Sequence, residues 1–198
     1  MYNNDPRRVA TGEVRLSYVH LNEAYANPNT PGAKPKFSAT LLIPKSDTET
    51  KKQIDDAMAA AYEAGVKNKW KGARPQMISP LIYDGDGTRR SGQPFGAECK
   101  GCWVITASSG RKPGVCDITN PSVPLLPQDI YSGMYARVTL TFYNPSQGNP
   151  VACSLDNVFK TRDGEPFSGG PSLAQDAAGL GVTAPAAPQI NPLTGQPL

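Results

Sequence analysis

The sequence lacks most of the motifs that mark enzymes. It has one histidine, His20, and no P-loop, GxSxG or HExxH motif, so nothing supports a histidine-activated nucleophile or a zinc hydrolase. No segment approaches the roughly 20 apolar residues of a membrane span, and the first eight residues contain no apolar signal-peptide core. We therefore expect a cytoplasmic protein that has no membrane partner and no cofactor and is not an enzyme.

Positive charge is absent from the end of the chain. All 20 lysines and arginines lie at or before Arg162, so residues 1–164 carry a net charge of +5 and residues 165–198 a net charge of −2. The excess is greatest between residues 65 and 112, where the net charge is +6. A local basic excess suits a polyanionic partner, although a solvated lysine-rich surface gives the same pattern.

The 19 glycines and 20 prolines favour turns and short strands over a helical bundle. Patterns of apolar residues predict strands at residues 12–21, 36–43, 103–108, 114–118, 132–143 and 151–160. One helix is predicted from Asp47 to about Trp70. This order, without βαβ alternation, predicts a mostly β protein, an OB-like β-barrel with one inserted amphipathic helix. We assign residues 1–164 to this domain and expect the Pro/Gly/Ala-rich residues 165–198 to form a disordered tail.

The predicted helix has the expected end signals. Ser46 or Asp47 can cap its N-terminus, and acidic residues precede the lysines in the order that the helix dipole favours. Spacings of three and four residues predict a buried stripe, formed by Ile54, Met58, Ala61, Tyr62 and Val66.

The segment 132–143 alternates over a full strand length. One side is apolar and suits a core; it carries Met134, Ala136, Val138, Leu140 and Phe142. The other side presents Tyr135, Arg137 and Tyr143, separated by threonines. Aromatic rings beside a cation form stacking platforms for unpaired bases, so we predict that both tyrosines stack on bases and that Arg137 binds phosphate. The alternative is that a second packed layer covers them.

Trp70 lies in a basic segment and is the third predicted stacking residue. Its neighbours are predicted to bind phosphate: Lys67, Lys69, Lys71 and Arg74. The alternative is that Trp70 anchors the helix end to the core while the lysines face water. Arg111 and Lys112 are further predicted phosphate ligands, and Arg89 and Arg90 can extend the same path.

Two groups of residues leave other chemistry open. Four cysteines could hold zinc, although reduced thiols packed as small apolar groups are the simpler interpretation; they are Cys99, Cys102, Cys116 and Cys153. The acidic residues Asp84, Asp86 and Glu98 lie near one another in sequence and could serve a metal-dependent nuclease, but Asp84–Gly87 is also typical of a turn.

Several short motifs, in this order, resemble the phage-encoded single-stranded DNA-binding proteins with an OB fold, a family first defined in an enterobacterial phage. They are the early strand and the helix after Pro44, the Asp84–Asp86 turn, the segments 103–109 and 111–115, and the segments 132–135 and 142–144. The stretches 155–160 and 163–165 fit as well. The similarity spans about residues 9–170.

The resemblance implies binding of single-stranded DNA during phage replication or recombination, in the cytoplasm of the bacterial host, without sequence preference and without catalysis. Replication or recombination proteins of the phage and further copies of the chain are candidate partners. Two other functions stay open, a small β-rich structural or interaction protein of a phage and a metal-dependent nuclease or other replication enzyme.

Overall fold

The computed structural model of the protein describes residues 4–26, 28 and 32–167, so residues 168–198 of the expected tail lie outside the described residues. Within these residues there is one α-helix, α1, which spans Thr48–Asn68. The strands are β1 (Arg8–Ala10), β2 (Val14–Tyr25), β3 (Lys36–Pro44), β4 (Ile82–Asp84), β5 (Cys102–Ser109), β6 (Gly114–Asp117), β7 (Asn120–Pro124), β8 (Tyr135–Tyr143) and β9 (Ala152–Arg162). Short 3₁₀ turns occur at Ala97–Cys99 and Pro127–Asp129.

The nine strands of the described part of the chain form one sheet. Its order is β4-β5-β3-β2-β8-β9-β6-β7, and β1 also pairs with β8. Every pairing is antiparallel except that of β6 with β9, which is parallel. The sheet curls strongly, because β5 approaches β9 although three strands separate them in the sheet order. The apolar face therefore closes around the main core, and a smaller cluster of Leu42, Cys99 and Val104 lies on the other side of β3 and β5.

The predicted alternation of β8 is confirmed. Met134, Ala136, Val138, Leu140 and Phe142 are all almost fully buried. Their burial follows from the period of two along a strand whose one face meets the core.

β1 and the start of β2 lie end to end along β8, and Thr11 joins them. Thr11 is fully buried; its N–H donates to Val138 O and its Oγ1 accepts from Val138 N–H. Thr11 O accepts a hydrogen bond from Arg137 Nε at 3.0 Å. The backbone groups at this junction are thus paired although the ladder changes strand here.

Helix α1 covers one side of the barrel. Asp47 caps it by accepting from Thr50 N–H at 3.0 Å, as predicted. Ile54 and Ala61 of the predicted stripe are buried, and Met58 and Tyr62 pack half-buried against the same core. Within the described part of the chain, no helix combines the length and the apolar character needed to cross a membrane.

The chain after β9 folds back over the start of β8. Phe167 N–H donates to Ser132 O at 3.0 Å, and Arg15 Nη2 donates to Glu165 O at 2.6 Å. The Arg15 guanidinium lies 4.0 Å from the centre of the Phe167 ring. Gly133, at a φ of +116°, permits this packing because a Cβ there would overlap Glu165 O.

Three strands escape prediction from the sequence. β1 and β4 are only three residues long, too short to show an alternating pattern. β7 lies in a proline-containing segment for which no strand is predicted from the sequence. Its five residues are exposed at the edge of the sheet. Proline is tolerated there because an edge strand has a neighbour on one side only, so its backbone N–H groups on the other side need no partner in the sheet.

Candidate nucleic-acid interface

An open, largely apolar depression lies on the outer side of β2, β3, β4 and β5. We call it the β3–β5 face, and its volume is about 420 Å³. Strand register builds its floor, because Thr40 pairs with Thr106 and Val104 pairs with Tyr83. The Thr40 and Thr106 hydroxyls are 2.9 Å apart. The residues used below are Tyr18, Thr40, Tyr83, Arg89, Arg90, Phe95, Val104 and Thr106.

Tyr18 is the most exposed aromatic side chain of this face, at 59%. The β2–β3 register shifts between Ser17 and His20, and at this irregularity Tyr18 adopts a φ of +47°. A left-handed conformation costs a non-glycine residue of this size about 1–3 kcal/mol and is concentrated at functional sites. The irregularity thus presents an apolar ring to solvent beside the depression.

Two more rings and two cations line the same face. The Tyr83 and Phe95 rings are 6.0 Å apart with a tilt of 58°, and the Arg89 guanidinium lies 5.4 Å from the centre of the Phe95 ring. Arg89 and Arg90 sit in a loop closed by the Arg89 N–H to Gln93 O hydrogen bond at 2.7 Å. Among the described residues lining the face, no acidic side chain offsets these two charges. Rings beside unopposed guanidinium groups can bind bases and phosphates together.

A second, more polar depression lies over β8 and β9. We call it the β8–β9 groove, and its volume is about 740 Å³. It brings together Tyr143, Arg111 and Lys112, three of the residues predicted from the sequence. The exposed Tyr143 ends β8, and the two cations come from the loop between β5 and β6. Other lining residues are Arg8, Ser109, Thr141, Ser154, Leu155, Asp156 and Asn157.

Trp70 packs at the C-terminal end of α1. Its ring centre is 5.6 Å from that of Tyr62, and it covers Gly65 so closely that a Cβ there would overlap it. Lys69 Nζ donates to Pro145 O, and Arg74 forms an ion pair with Glu63 at 2.7 Å. Lys67 and Lys71 are exposed nearby. This packing fits the anchoring alternative for Trp70; its stacking on DNA stays a prediction.

Tyr135 and Arg137 lie on the outer side of β8, but neither lines the two depressions. The Tyr135 ring is half-buried, with the Arg162 guanidinium 3.4 Å and that of Arg15 5.5 Å from its centre. Arg137 is exposed but is tied to Thr11 by its Nε. The predicted site residues therefore occupy separate regions rather than one trough, and their roles on DNA stay predictions.

Sequence reasoning missed the aromatic residues of the β3–β5 face. Tyr18, Tyr83 and Phe95 come from three segments that only the strand register brings together. One signal was available in the sequence, because Arg89 and Arg90 lie between Tyr83 and Phe95 as cations interleaved with rings. The polar residues that β9 contributes to the β8–β9 groove, such as Asp156 and Asn157, are not marked by a comparable pattern in the sequence.

The cysteines do not come together. Cys99 and Cys102 flank the turn before β5, Cys116 lies on β6 and Cys153 lies inside the core on β9. Burial raises the pKa of the Cys99 thiol to about 11 and also raises that of Cys153, which disfavours the thiolate that zinc requires. Within the described residues, no three His, Cys, Asp or Glu side chains lie close enough to hold a metal ion.

The acidic residues near the predicted turn are engaged with a lysine. Lys45 Nζ lies 2.6 Å from Asp84 Oδ1 and 2.7 Å from Asp86 Oδ2. Hydrogen bonds from Lys45 lower the pKa of both carboxyl groups. Asp86 Oδ1 also accepts from Gly101 N–H at 3.0 Å. These contacts explain the turn as a structural element that connects β3, β4 and the start of β5.

Comparison with known protein sequences matches the chain to one family and to one curated phage protein. A sequence model of the family described as Enterobacter phage Enc34, ssDNA-binding protein, matches residues 7–184. Protein p50 of Acyrthosiphon pisum secondary endosymbiont phage 1 is 32% identical over 179 residues, which covers 82% of this chain and 88% of p50.

Solved structures agree in fold. The single-stranded DNA-binding protein from bacteriophage Enc34, in complex with ssDNA, superposes with a TM-score of 0.68 at 28% identity, covering 82% of this chain and 90% of that one. Gp2.5, a single-stranded DNA-binding protein encoded by bacteriophage T7, gives a TM-score of 0.54 at 15% identity, covering 85% and 93%. The predicted OB-like, mostly β fold with one helix is confirmed.

Proposed function

Because the chain belongs to the family of the Enterobacter phage Enc34 ssDNA-binding protein, we propose that it binds single-stranded DNA in phage replication or recombination. The observation that carries the proposal is the β3–β5 face, where three rings and two arginines line an open depression. The protein acts there as a binding protein and not as a catalyst, within the cytoplasm of the host cell.

The β3–β5 face suits an unpaired strand better than a duplex. Stacking of one base on an aromatic ring contributes about 1–3 kcal/mol and tolerates any base, because every base has a flat π-face. In a duplex these faces are covered by neighbouring base pairs. Tyr18 and Phe95 are the proposed stacking residues, and Arg89 and Arg90 contact the phosphates between the stacked bases.

The β8–β9 groove extends the proposed path. Strand β5 contributes to both depressions: Thr106 lines the β3–β5 face, and Ser109, three residues later and on the other side of the strand, lines the groove. The proposed path therefore passes around the end of β5 to reach Arg111 and Lys112 in the following loop. The two depressions thus give one chain contacts with more nucleotides than either could hold alone.

Nuclease activity receives no support from the acidic residues near β4. Asp84 and Asp86 are both paired with Lys45, so a side chain of the protein itself neutralises part of their charge. We therefore propose binding without strand cleavage. Incubation of labelled DNA with Mg²⁺ or Mn²⁺ should leave its length unchanged, and shortened fragments would contradict this part of the proposal.

The direct test is fluorescence anisotropy with labelled oligo-dT and a duplex of equal length. We expect tighter binding of the single strand and weaker binding as salt rises, because each neutralised phosphate releases counterions. Tyr18→Ala should lower affinity by about 1–3 kcal/mol, roughly 5- to 150-fold. Tyr25→Ala is the matched control, since Tyr25 is an exposed tyrosine of the same strand, at 48%, and does not line the face. Equal losses in both variants, or no binding of oligo-dT, would refute the proposal.

A further inference from the structure

Two exposed apolar patches lie towards opposite ends of strand β9. The first is the Met77–Ile78 ridge, whose side chains are 39% and 61% exposed. Met77 lines a shallow depression together with Val151, the residue before β9. The second patch is the β6–β7 pocket, a depression that Phe159 of β9 helps to line. Eight residues of strand rise separate Val151 from Phe159, which places the two patches roughly 25 Å apart along the strand.

The β6–β7 pocket is an open, mostly apolar depression of about 600 Å³ at the edge of the sheet. Asn22 Nδ2 donates to Pro127 O at 2.9 Å and holds one wall of the pocket. Val123 and Leu126 beside it are 55% and 57% exposed. Apolar side chains that are exposed together mark interaction surfaces. The apolar lining of the pocket includes Pro113, Val115, Pro124, Leu125, Ile130 and Phe159.

The Met77–Ile78 ridge is held in place by the side chain of Asn149. Asn149 Oδ1 accepts from Ile78 N–H at 2.8 Å and from Ser79 N–H at 3.1 Å, and Asn149 Nδ2 donates to Ser79 O at 2.9 Å. These bonds fix the backbone of the ridge before any partner covers it. A partner therefore binds a preformed surface, which lowers the entropy that the contact costs.

Both patches adjoin the proposed DNA path. Pro80 and Leu81, which follow the ridge closely in the chain, line the β3–β5 face. Lys112 and Asn157 line both the β8–β9 groove and the β6–β7 pocket. The ridge thus borders one depression of the path, and the pocket borders the other.

We propose that the Met77–Ile78 ridge of one copy docks in the β6–β7 pocket of the next copy along a DNA strand, an inference that rests on the single-stranded DNA binding proposed above. The two patches differ, so the contact is heterologous and repeats along a row of copies instead of closing a two-fold dimer. Pro121 and Pro124 remove backbone donors from β7, which disfavours extension of the sheet into another copy. Side chains are left to make the contact.

The contact is small, and its size defines how it behaves. Stable interfaces between proteins bury about 1,200–2,000 Å² in total, and two side chains that enter one pocket bury much less. Free copies should therefore stay monomeric. On a shared DNA strand, neighbouring copies are held at an effective concentration in roughly the millimolar range, at which a weak contact favours binding side by side.

The test is a gel-shift titration of oligo-dT just long enough for two copies, in which singly and doubly bound strands migrate separately. We expect the second copy to bind roughly ten-fold more tightly than the first, from burial of one aliphatic side chain, and the free protein to sediment as a monomer. Ile78→Ser and Leu126→Ser should each remove this gain and leave the affinity for a strand that holds one copy unchanged. Tyr25→Ser is the matched control and should keep the gain, since Tyr25 is exposed but belongs to neither patch.

An equimolar mixture of Ile78→Ser and Leu126→Ser tests the head-to-tail arrangement. The Leu126→Ser copy keeps its ridge and the Ile78→Ser copy keeps its pocket, so one order of the two on the strand retains the contact, and part of the gain should return.

Equal affinities of the first and second wild-type copies would overturn this inference and leave the proposed function intact. The same conclusion would follow from an unchanged gain in either variant, from a mixture that recovers nothing, or from a stable dimer of the free protein. Failure of the wild type to bind oligo-dT of either length would overturn both.

Discussion

Tyr135 and Tyr143 look equivalent in the sequence, but the structure predicts opposite consequences for their removal. The Tyr135 ring is half-buried between Arg15 and Arg162, 5.5 Å and 3.4 Å from their guanidinium groups. Tyr143 is 38% exposed and lines the β8–β9 groove. We expect Tyr135→Ala to lower stability and Tyr143→Ala to lower DNA affinity.

The size of each effect follows from the contacts. Two cation–π contacts of about 0.5–1 kcal/mol each, with about 1 kcal/mol for lost burial of a half-buried ring, give a destabilisation of about 2–3 kcal/mol for Tyr135→Ala. In a domain of this size that corresponds to a fall in Tm of about 5–10 °C. Tyr143→Ala should cost about 1–3 kcal/mol of binding and less than about 0.5 kcal/mol of stability.

Thermal unfolding and fluorescence anisotropy with oligo-dT, measured on the same preparations, separate the two effects. Tyr135→Phe is the matched control, because it keeps the ring and should restore most of the stability. The reasoning fails if Tyr135→Ala melts like the wild type but binds DNA weakly. It fails equally if Tyr143→Ala binds oligo-dT as tightly as the wild type.

Three further predictions concern backbone strain, close packing and charge. Tyr18→Gly should raise stability by about 1 kcal/mol in thermal unfolding, because glycine adopts a positive φ freely, while it weakens DNA binding; unchanged stability would argue against strain. Gly133→Ala should lower stability by at least about 2 kcal/mol, because its Cβ would overlap Glu165 O and its φ is positive, and limited proteolysis should show earlier cleavage after β9. Lys45 lowers the pKa of both carboxyl groups in the Asp84–Asp86 turn. Their contribution to stability is therefore fully present at a pH above 3.8, the ordinary pKa of the unfolded chain. It is lost as the pH falls through the lower pKa values of the folded state. Lys45→Met should remove this part of the acid dependence in melting curves recorded as a function of pH.

The sequence was most informative where a single burial pattern controls a long element. The inward residues of β8 and the stripe of α1 follow from periods of 2 and 3.6 residues. The inward residues of β8 are buried as predicted; of the stripe, Ile54 and Ala61 are buried and Met58 and Tyr62 pack partly buried against the core, whereas Val66 does not join it. The Asp47 cap follows from local chemistry alone. These features need no knowledge of distant parts of the chain, and for that reason they could be derived before the structure.

The candidate interface depends on distant parts of the chain and was harder to predict. A polar-side tyrosine such as Tyr135 is indistinguishable from Tyr143 until the guanidinium groups that cover it are placed. Trp70 likewise lies among cations in the sequence, yet its ring packs against Tyr62. Tyr18 reaches the β3–β5 face through an irregularity of register, which a strict alternation of residues does not reveal.

Strand β9 contains one extra residue, Asp156, because Thr139 pairs with Asn157 while Leu140 pairs with Leu155. This residue sets which side chains the rest of the strand directs inward. Before it, odd-numbered positions such as Cys153 and Leu155 face the core; after it, even-numbered positions such as Val158 and Lys160 do so. Deleting Asp156 would thus reverse the inward and outward alternation in one part of the strand relative to the other. One half of the strand would have to turn its buried side chains outward and its exposed side chains inward. We therefore expect natural deletions of this residue to be far rarer than substitutions at the same position.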